Sequence, residues 1–192
     1  MRCAVAGLFA GAVVVAVLIW GGGGEGKGSA QAAEPPAATF VRGCDVASSV
    51  PAYPTDRRDL VAGPIRMIGG RKLARARARD QHTWPGTRLR VIKLPVAITG
   101  ARSVTVAVGR RHRNVVSLGF APDSRNPKRV SDGDRVVRFG VCPRDGRITG
   151  YPGGLIYGGR WKRCIGLEFW VEGRERPIRR NLSLGAGRRC DR

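Results

Sequence analysis

The chain has 192 residues, which is room for one ordinary domain and a terminal segment but not for two domains of usual size. Its hydrophobic content of 42% is enough for one core, so the chain does not need a metal or a disulfide merely to fold. Its formal net charge of +21 favours anionic partners of any kind and says nothing about the fold.

A hydrophobic segment, residues 3–20, stands near the start of the chain and contains no charged residue. As a helix it would span about 27 Å, close to the ~30 Å thickness of bilayer hydrocarbon. Arg2 and the small residues Ala30 and Ala32 also fit a cleaved secretory signal. We favour an uncleaved single-pass anchor over residues 1–20, with the later residues outside the cell membrane; a secreted protein is the alternative.

The next segment, residues 21–39, is rich in Gly, Ala and Pro and has no apolar period. This composition predicts a flexible linker, because such residues bury little apolar surface. The linker would separate the membrane from an exported domain over residues 40–192.

Residues 40–192 show short apolar runs bounded by Gly, Pro, Asp and Asn, which is typical of an all-β domain. The predicted strands are 60–68, 89–98, 104–108, 115–120, 136–142, 165–171 and 178–184. Residues 104–108 alternate as a half-buried strand does. No segment between the runs has a helical period, so we predict an immunoglobulin-like antiparallel β-sandwich, with a closed barrel as the alternative.

Four cysteines of this body predict a disulfide framework in an oxidising compartment: Cys44, Cys142, Cys164 and Cys190. Three pairings are allowed. If strands 136–142 and 165–171 are antiparallel neighbours, Cys142 pairs with Cys164 and Cys44 with Cys190, which is the pairing we favour. The absence of a C-x-x-C spacing argues against zinc, and we expect neither a metal nor a cofactor.

A series of short motifs runs through the body in this order: Cys44, VAGPIRMIG (61–69), KLPV (93–96), SVTVAV (103–108), VVRFGVC (136–142), PGG (152–154), CIGLEFWV (164–171) and LSLGAGRRC (182–190). The series resembles a group of small exported, cysteine-containing proteins of GC-rich actinobacteria whose function is unknown. The resemblance implies export, a β fold and disulfides, and it carries over no catalytic residue.

The sequence RKLARARARD, residues 71–80 and here called the arginine segment, concentrates positive charge between two predicted strands. Its candidate contacts for a polyanion are Arg71, Lys72, Arg75, Arg77 and Arg79. From Leu73 onward alanine and arginine alternate, so an extended chain would place them on opposite sides. As a helix the segment would have too little apolar surface to enter a membrane, and we predict a solvated loop or sheet edge.

Candidate catalytic groups are few. His82 and His112 stand in polar, basic stretches that predict exposed loops, and no G-x-S-x-G motif occurs. The residues Asp132, Gly133 and Asp134 predict a hairpin turn in preference to a calcium loop, because the other ligand positions are missing.

Five aromatic residues could form a platform for sugars or bases: Trp84, Trp161, Trp170, Tyr151 and Tyr157. Trp161 and both tyrosines are interleaved with glycines in residues 150–161, as in an exposed binding loop. Core packing is the interpretation that we prefer, since sandwich domains commonly bury such rings.

These patterns predict a non-enzymatic protein of the cell envelope whose basic domain contacts anionic wall polymers or lipid headgroups. Export argues against nucleic acid as the partner, although phosphates attract any such surface. An envelope hydrolase and a secreted polyanion-binding protein are the alternatives.

Overall fold

A computed structural model describes residues 34–46, 48–50, 56–100, 102–142 and 148–190. All of them belong to one compact unit, Ala32–Arg192. The predicted anchor and most of the predicted linker lie outside the described residues. The described part of the chain holds no helix long and apolar enough to span a membrane.

The described residues form short strands and 3-10 helices, which bears out the all-β prediction. The strands are β1 (Phe40–Arg42), β2 (Ser48–Val50), β3 (Leu60–Ala62), β4 (Ile65–Met67), β5 (His82–Thr83), β6 (Arg90–Lys93), β7 (Val96–Ile98), β8 (Val104–Val108), β9 (Val116–Gly119), β10 (Val136–Phe139), β11 (Ile148–Tyr151), β12 (Gly154–Tyr157), β13 (Arg163–Val171) and β14 (Ile178–Leu184). The 3-10 helices are Cys44–Val46, Gly70–Ala74, Ala78–Asp80, Arg110–His112, Pro122–Arg125, Val130–Asp132 and Gly187–Cys190.

In this part of the chain the strands make three sheets. Sheet A has the order β1-β10-β8-β13-β14, sheet B the order β2-β11-β7-β4-β3, and sheet C the order β5-β6-β12-β9. Strand β1 runs parallel to β10, and the other described pairs are antiparallel. In every sheet, therefore, some neighbouring strands are distant from each other in sequence.

One hydrophobic core receives side chains from all three sheets. Strand β13 shows how the pattern works, because Ile165, Leu167 and Phe169 are buried while the residues between them are half-buried. Strand β8 differs from the half-buried strand that the sequence predicts, since all five of its residues are buried. Its Thr105 lies between Arg138 and Trp170 on the two adjacent strands, which shields it from solvent.

Two of the predicted strands are each divided in the structure. Residues 60–68 form the hairpin β3–β4, because Gly63 has a positive φ of 63° and turns the chain. Residues 89–98 form β6 and β7 in different sheets, separated at Pro95, which has no N–H to donate to a sheet. These two predictions located the strands correctly and gave their continuity wrongly.

Both disulfides differ from the pairing that we favoured from sequence. Cys44 is joined to Cys142 and Cys164 to Cys190, with Cα–Cα distances of 5.5 and 5.3 Å. The premise of the prediction is wrong, because β8 lies between β10 and β13 and keeps Cys142 away from Cys164. Parallel strands end at the same edge of a sheet, so β1 and β10 bring Cys44 to Cys142 instead. The participation of all four cysteines is confirmed.

Candidate functional site

The arginine segment forms two short 3-10 turns, Gly70–Ala74 and Ala78–Asp80, on the surface of the domain. Leu73 is only 8% exposed and joins the core, and the residues after it alternate in burial. The alanines at 74, 76 and 78 are half-buried, whereas the arginines at 75, 77 and 79 are exposed. The two-residue period thus separates alanine from arginine although the segment is not a strand.

Backbone contacts hold this segment against the end of sheet A. The N–H of Gly185, just after β14, donates to the carbonyl of Leu73 at 2.8 Å. The indole Nε1 of Trp161 donates to the carbonyl of Ala76 at 2.7 Å. Both donors are over 80 residues away in sequence, so the segment is fixed by the tertiary fold.

A cavity of about 590 Å³ opens between this segment and the loop that leads into β13. Its lining residues are Ala74, Arg75, Ala76, Arg77, Ala78, Trp161, Lys162, Gly185 and Gly187. Three cations, Arg75, Arg77 and Lys162, therefore line the same cavity as the indole ring of Trp161. We call this arrangement the arginine–tryptophan site.

The position of Trp161 depends on its neighbours. Its ring meets Tyr157 edge to face, with centroids 5.9 Å apart, and packs against the core. A Cβ at Gly185 would lie 2.2 Å from Trp161 Nε1, so a side chain there would displace the indole. Gly185 also has a φ of 68°, which favours glycine. This glycine therefore permits both the turn after β14 and the approach of the ring.

Lys162 occupies an uncommon backbone conformation, with a φ of 67°. Among the described residues other than glycine, no second residue has a positive φ. Such a conformation is unfavourable for a residue with a Cβ and persists where the surrounding structure holds it. Lys162 is exposed and directly follows the anchored Trp161 in sequence.

The site is strongly cationic. Among the described residues that line the cavity there is no carboxylate, histidine or hydroxyl side chain. No described carboxylate forms an ion pair with Arg75, Arg77 or Lys162 within 4.0 Å. The nearest acid in sequence, Asp80, accepts the backbone N–H of Arg77 at 3.2 Å. The three side-chain charges therefore remain available to an anion.

The structure brings together only part of the predicted set of polyanion contacts. Arg75 and Arg77 line the cavity, whereas the exposed Arg71 and Lys72 lie in the preceding turn and Arg79 faces Asp80 at 4.0 Å. Sequence reasoning missed Lys162. Its signal is the cluster RWKR, residues 160–163, in which a tryptophan stands among basic residues.

The other aromatic candidates have structural roles. Tyr151 and Tyr157 are at most 1% exposed. They lie in strands β11 and β12 and not in an exposed binding loop. The hydroxyl of Tyr151 donates to the carbonyl of Gly140 at 2.8 Å, and that of Tyr157 to the carbonyl of Arg160. Trp84 is half-buried against His82, and Trp170 lies in β13.

The two histidines do not meet a nucleophile among the described residues. His82 is exposed, as the sequence predicts, but it lies in strand β5 and not in a loop. His112 departs from that expectation, because it is half-buried and its Nδ1 accepts the Gly166 N–H at 3.2 Å. Burial lowers the pKa of His112, and the nearby Arg163 and Arg111 lower it further. The surroundings of the ring thus favour its neutral form.

Asp132 caps a 3-10 helix and does not form the hairpin turn expected from sequence. Its carboxylate accepts the backbone N–H groups of Lys128 at 2.7 Å and Arg129 at 2.9 Å, and these bonds lower the pKa of Asp132. Across the described residues no group of three His, Cys, Asp or Glu side chains is arranged to hold a metal ion.

Comparison of the chain with protein family models, with curated proteins and with solved structures finds no match. The resemblance to exported actinobacterial proteins stays a prediction from the sequence motifs.

Proposed function

We propose that the chain is a non-enzymatic protein of the cell envelope, held at the membrane by residues 3–20, and that its exported domain binds an anionic envelope polymer. The arginine–tryptophan site is the place of contact. The observation that carries this proposal is that Arg75, Arg77, Lys162 and Trp161 line one cavity.

The chemistry of the cavity suits a polymer of sugars that carry phosphate or carboxylate groups. Arginine forms paired hydrogen bonds with such groups, and each charge-assisted bond is stronger than a neutral one. An indole face beside the cations offers an apolar surface for a sugar ring. The remaining positive charge of the domain raises the local concentration of any polyanion.

Binding is preferred to hydrolysis because the lining lacks an acid, a base and a nucleophile among the described residues. Glycoside hydrolysis needs two carboxylates at a set separation, and acyl transfer needs a nucleophile beside a base. An envelope hydrolase would have to use groups outside this cavity.

The two disulfides are compatible with an oxidising compartment and support the export part of the proposal. Residues 3–20 would supply the anchor and residues 21–39 the linker. In the secreted alternative the signal would be removed and the same site would bind the polymer from solution.

The test is retention of the purified, oxidised protein on isolated anionic wall polymer at low salt. The variant carries Arg75→Ser, Arg77→Ser and Lys162→Ser, and we expect its affinity to fall at least about tenfold, since each lost charged bond weakens binding. The matched control also removes three positive charges and carries Arg102→Ser, Arg174→Ser and Arg176→Ser. These arginines are exposed. Arg174 and Arg176 lie in the β13–β14 turn and Arg102 lies beside Gly173 of that turn, at the far end of a nine-residue strand that is about 26 Å long.

Equal losses in the variant and the control would contradict a defined site and leave only the general field of the domain. A parallel measurement on anionic vesicles separates lipid headgroups from wall polymer as the ligand. Stronger retention on vesicles than on polymer would make the headgroup the partner.

The finer architecture is also a proposal, namely an immunoglobulin-like sandwich in which sheet A packs on sheets B and C together. One support is that the core receives side chains from all three sheets. Another is that residues 90–98 and 148–157 both contribute to sheets B and C, since β6 pairs with β12 in sheet C and β7 pairs with β11 in sheet B. An experimental structure with sheets B and C curled into a closed barrel with sheet A would refute it.

A further inference from the structure

A second cavity, of about 490 Å³, lies against sheet C. The register places Lys93, Gly154 and Gly119 in one row across β6, β12 and β9, with Val91 and Ile156 in the next row. Directly paired residues share a face of a sheet, so these five lie together. The alternate row, with Ile92 and Leu155, belongs to the hydrophobic core and borders the same cavity. This cavity, here called the Arg42 groove, shares no lining residue with the arginine–tryptophan site.

The paired glycines leave the middle of this face without side chains, which creates the groove. A Cβ at Gly119 would meet Ile156 at 3.5 Å and Ser124 Oγ at 3.7 Å, which are ordinary contacts. A methyl group would therefore fit at Gly119, whereas a Cβ at Gly154 would collide with the backbone of Ile92, so the space that a side chain could fill is at Gly119. Phe120 and Ile156 add buried apolar surface to the lining, and the volume is in the range of small-molecule sites.

Arg42 lies at one end of the groove and is only 7% exposed. Its Nε is buried and has no hydrogen-bond partner among the described residues. Its Nη2 has only a long contact, 3.5 Å, to the carbonyl of Pro152. No described carboxylate lies within 4.0 Å of the guanidinium, although Asp45 acts on it from farther away. A buried cation in this condition is costly unless an anion approaches it.

The position of Arg42 is well fixed. Its carbonyl accepts the N–H of Gly140 at 3.0 Å, and the disulfide of Cys44 follows two residues later. Burial lowers the pKa of Arg42, and the neighbouring positive charge of Arg125 lowers it further. Arg125 is exposed and also lines the groove, so two cations stand at the same end without a carboxylate between them among the described residues.

We propose that the Arg42 groove binds a small amphiphile, a carboxylate carrying an unbranched alkyl chain. The carboxylate accepts hydrogen bonds from the adjacent donors Nε and Nη2 of Arg42, in place of the long contact to Pro152, and Arg125 adds attraction. The alkyl chain lies over the glycine row against Val91, Ile156 and Phe120. The hydrophobic effect favours this end of the ligand, and the buried guanidinium selects the charged end.

The experiment is calorimetric titration of the full, oxidised chain with decanoate below its micelle concentration. We expect saturable binding of one decanoate, and at least about tenfold weaker binding of decanol, which lacks the charge. Acetate, which lacks the chain, should not bind measurably. Equal affinities of decanoate and decanol would overturn the role of Arg42, and absence of decanoate binding would overturn the proposal. Tighter binding of decyl phosphate, which has the same number of carbons, than of decanoate would overturn the assignment to a carboxylate.

Three variants locate the ligand. Arg42→Met keeps the length of the side chain and removes its charge, and we expect about tenfold weaker binding of decanoate. Gly119→Leu fills the groove without removing either positive charge and should abolish binding, so the proposal stays testable if the Arg42 variant fails to fold. The triple variant at Arg75, Arg77 and Lys162 should bind decanoate as the unmodified protein does. Normal binding by a folded Gly119→Leu protein would overturn the location.

Discussion

Asp59 connects the interior of the domain to the arginine segment. Its Oδ2 lies 3.5 Å from Nη1 of Arg66, and the two side chains are 2% and 7% exposed. Its Oδ1 accepts the N–H of Gly69 at 2.8 Å, immediately before the turn that begins the segment. One carboxylate therefore balances a buried charge and fixes the start of a surface loop that lines the proposed site.

Replacing Asp59 by asparagine should lower the free energy of unfolding by roughly 3–5 kcal/mol, because it removes one member of a buried ion pair. Asp56→Asn is the matched control. Asp56 faces Arg58 at 2.5 Å, but that pair is at the surface, where ion pairs contribute little to stability. Urea unfolding followed by tryptophan fluorescence measures both variants. Similar losses in the two would show that the interior pair does not carry the stability assigned to it.

At the scale of elements, the two disulfides close loops of different length. Cys44 and Cys142 are 98 residues apart in sequence, and Cys164 and Cys190 are 26 apart. The two loops do not overlap, so the loss of one leaves the constraint of the other unchanged. The first disulfide, which follows β1 and its Arg42, holds that edge strand on sheet A. The second disulfide holds the 3-10 helix Gly187–Cys190 against β13.

Removal of the long-loop disulfide by Cys44→Ala and Cys142→Ala should destabilise the domain more than removal of the short-loop disulfide by Cys164→Ala and Cys190→Ala. The loop-entropy relation gives about 4.7 kcal/mol for the first and about 3.5 kcal/mol for the second. Urea unfolding of the two double variants measures the difference. The reverse order would mean that native contacts around Cys164 and Cys190 outweigh the chain entropy.

The sequence predicts those strands whose pattern is local. Residues 104–108 and 178–184 have the predicted bounds, because β-branched and apolar residues run between clear turn signals. Strands β11 and β12 were missed, since Gly150, Pro152 and Gly153 suggest a loop. Pairing with β6, β7 and β9 makes them strands, and pairing partners so distant in sequence leave no local pattern.

The candidate site was half predictable for the same reason. Arg75 and Arg77 stand out as charge in the sequence, and their exposure follows from alternation with alanine. Lys162 and Trp161 come from a loop more than 80 residues later, and the hydrogen bond from Trp161 Nε1 to the carbonyl of Ala76 joins that loop to the arginine segment. The prediction of the disulfide pairing failed for the same reason, because the position of β8 between β10 and β13 is a property of the whole sheet.

At the scale of the whole molecule, the charge of +21 and the local site act over different distances. The first 40 residues hold two basic and two acidic residues, so the excess belongs to the body of the chain. Its field extends roughly one Debye length, about 8 Å at physiological ionic strength and about 3 Å at 1 M salt. The field governs encounter with a polyanion, whereas direct contacts govern how long the complex lasts.

This division predicts different kinetic effects for charges inside and outside the arginine–tryptophan site. Removal of Arg174 and Arg176 should slow association with anionic polymer by up to about twofold and leave dissociation unchanged, because those residues contribute only to the field. Removal of Arg75 and Arg77 should speed dissociation by about tenfold, because bonds in the complex are lost. Surface-plasmon measurements over a salt series give both rates. If the two variants changed only association, and to the same degree, the polymer would be held by the field alone and the cavity would have no part in its capture.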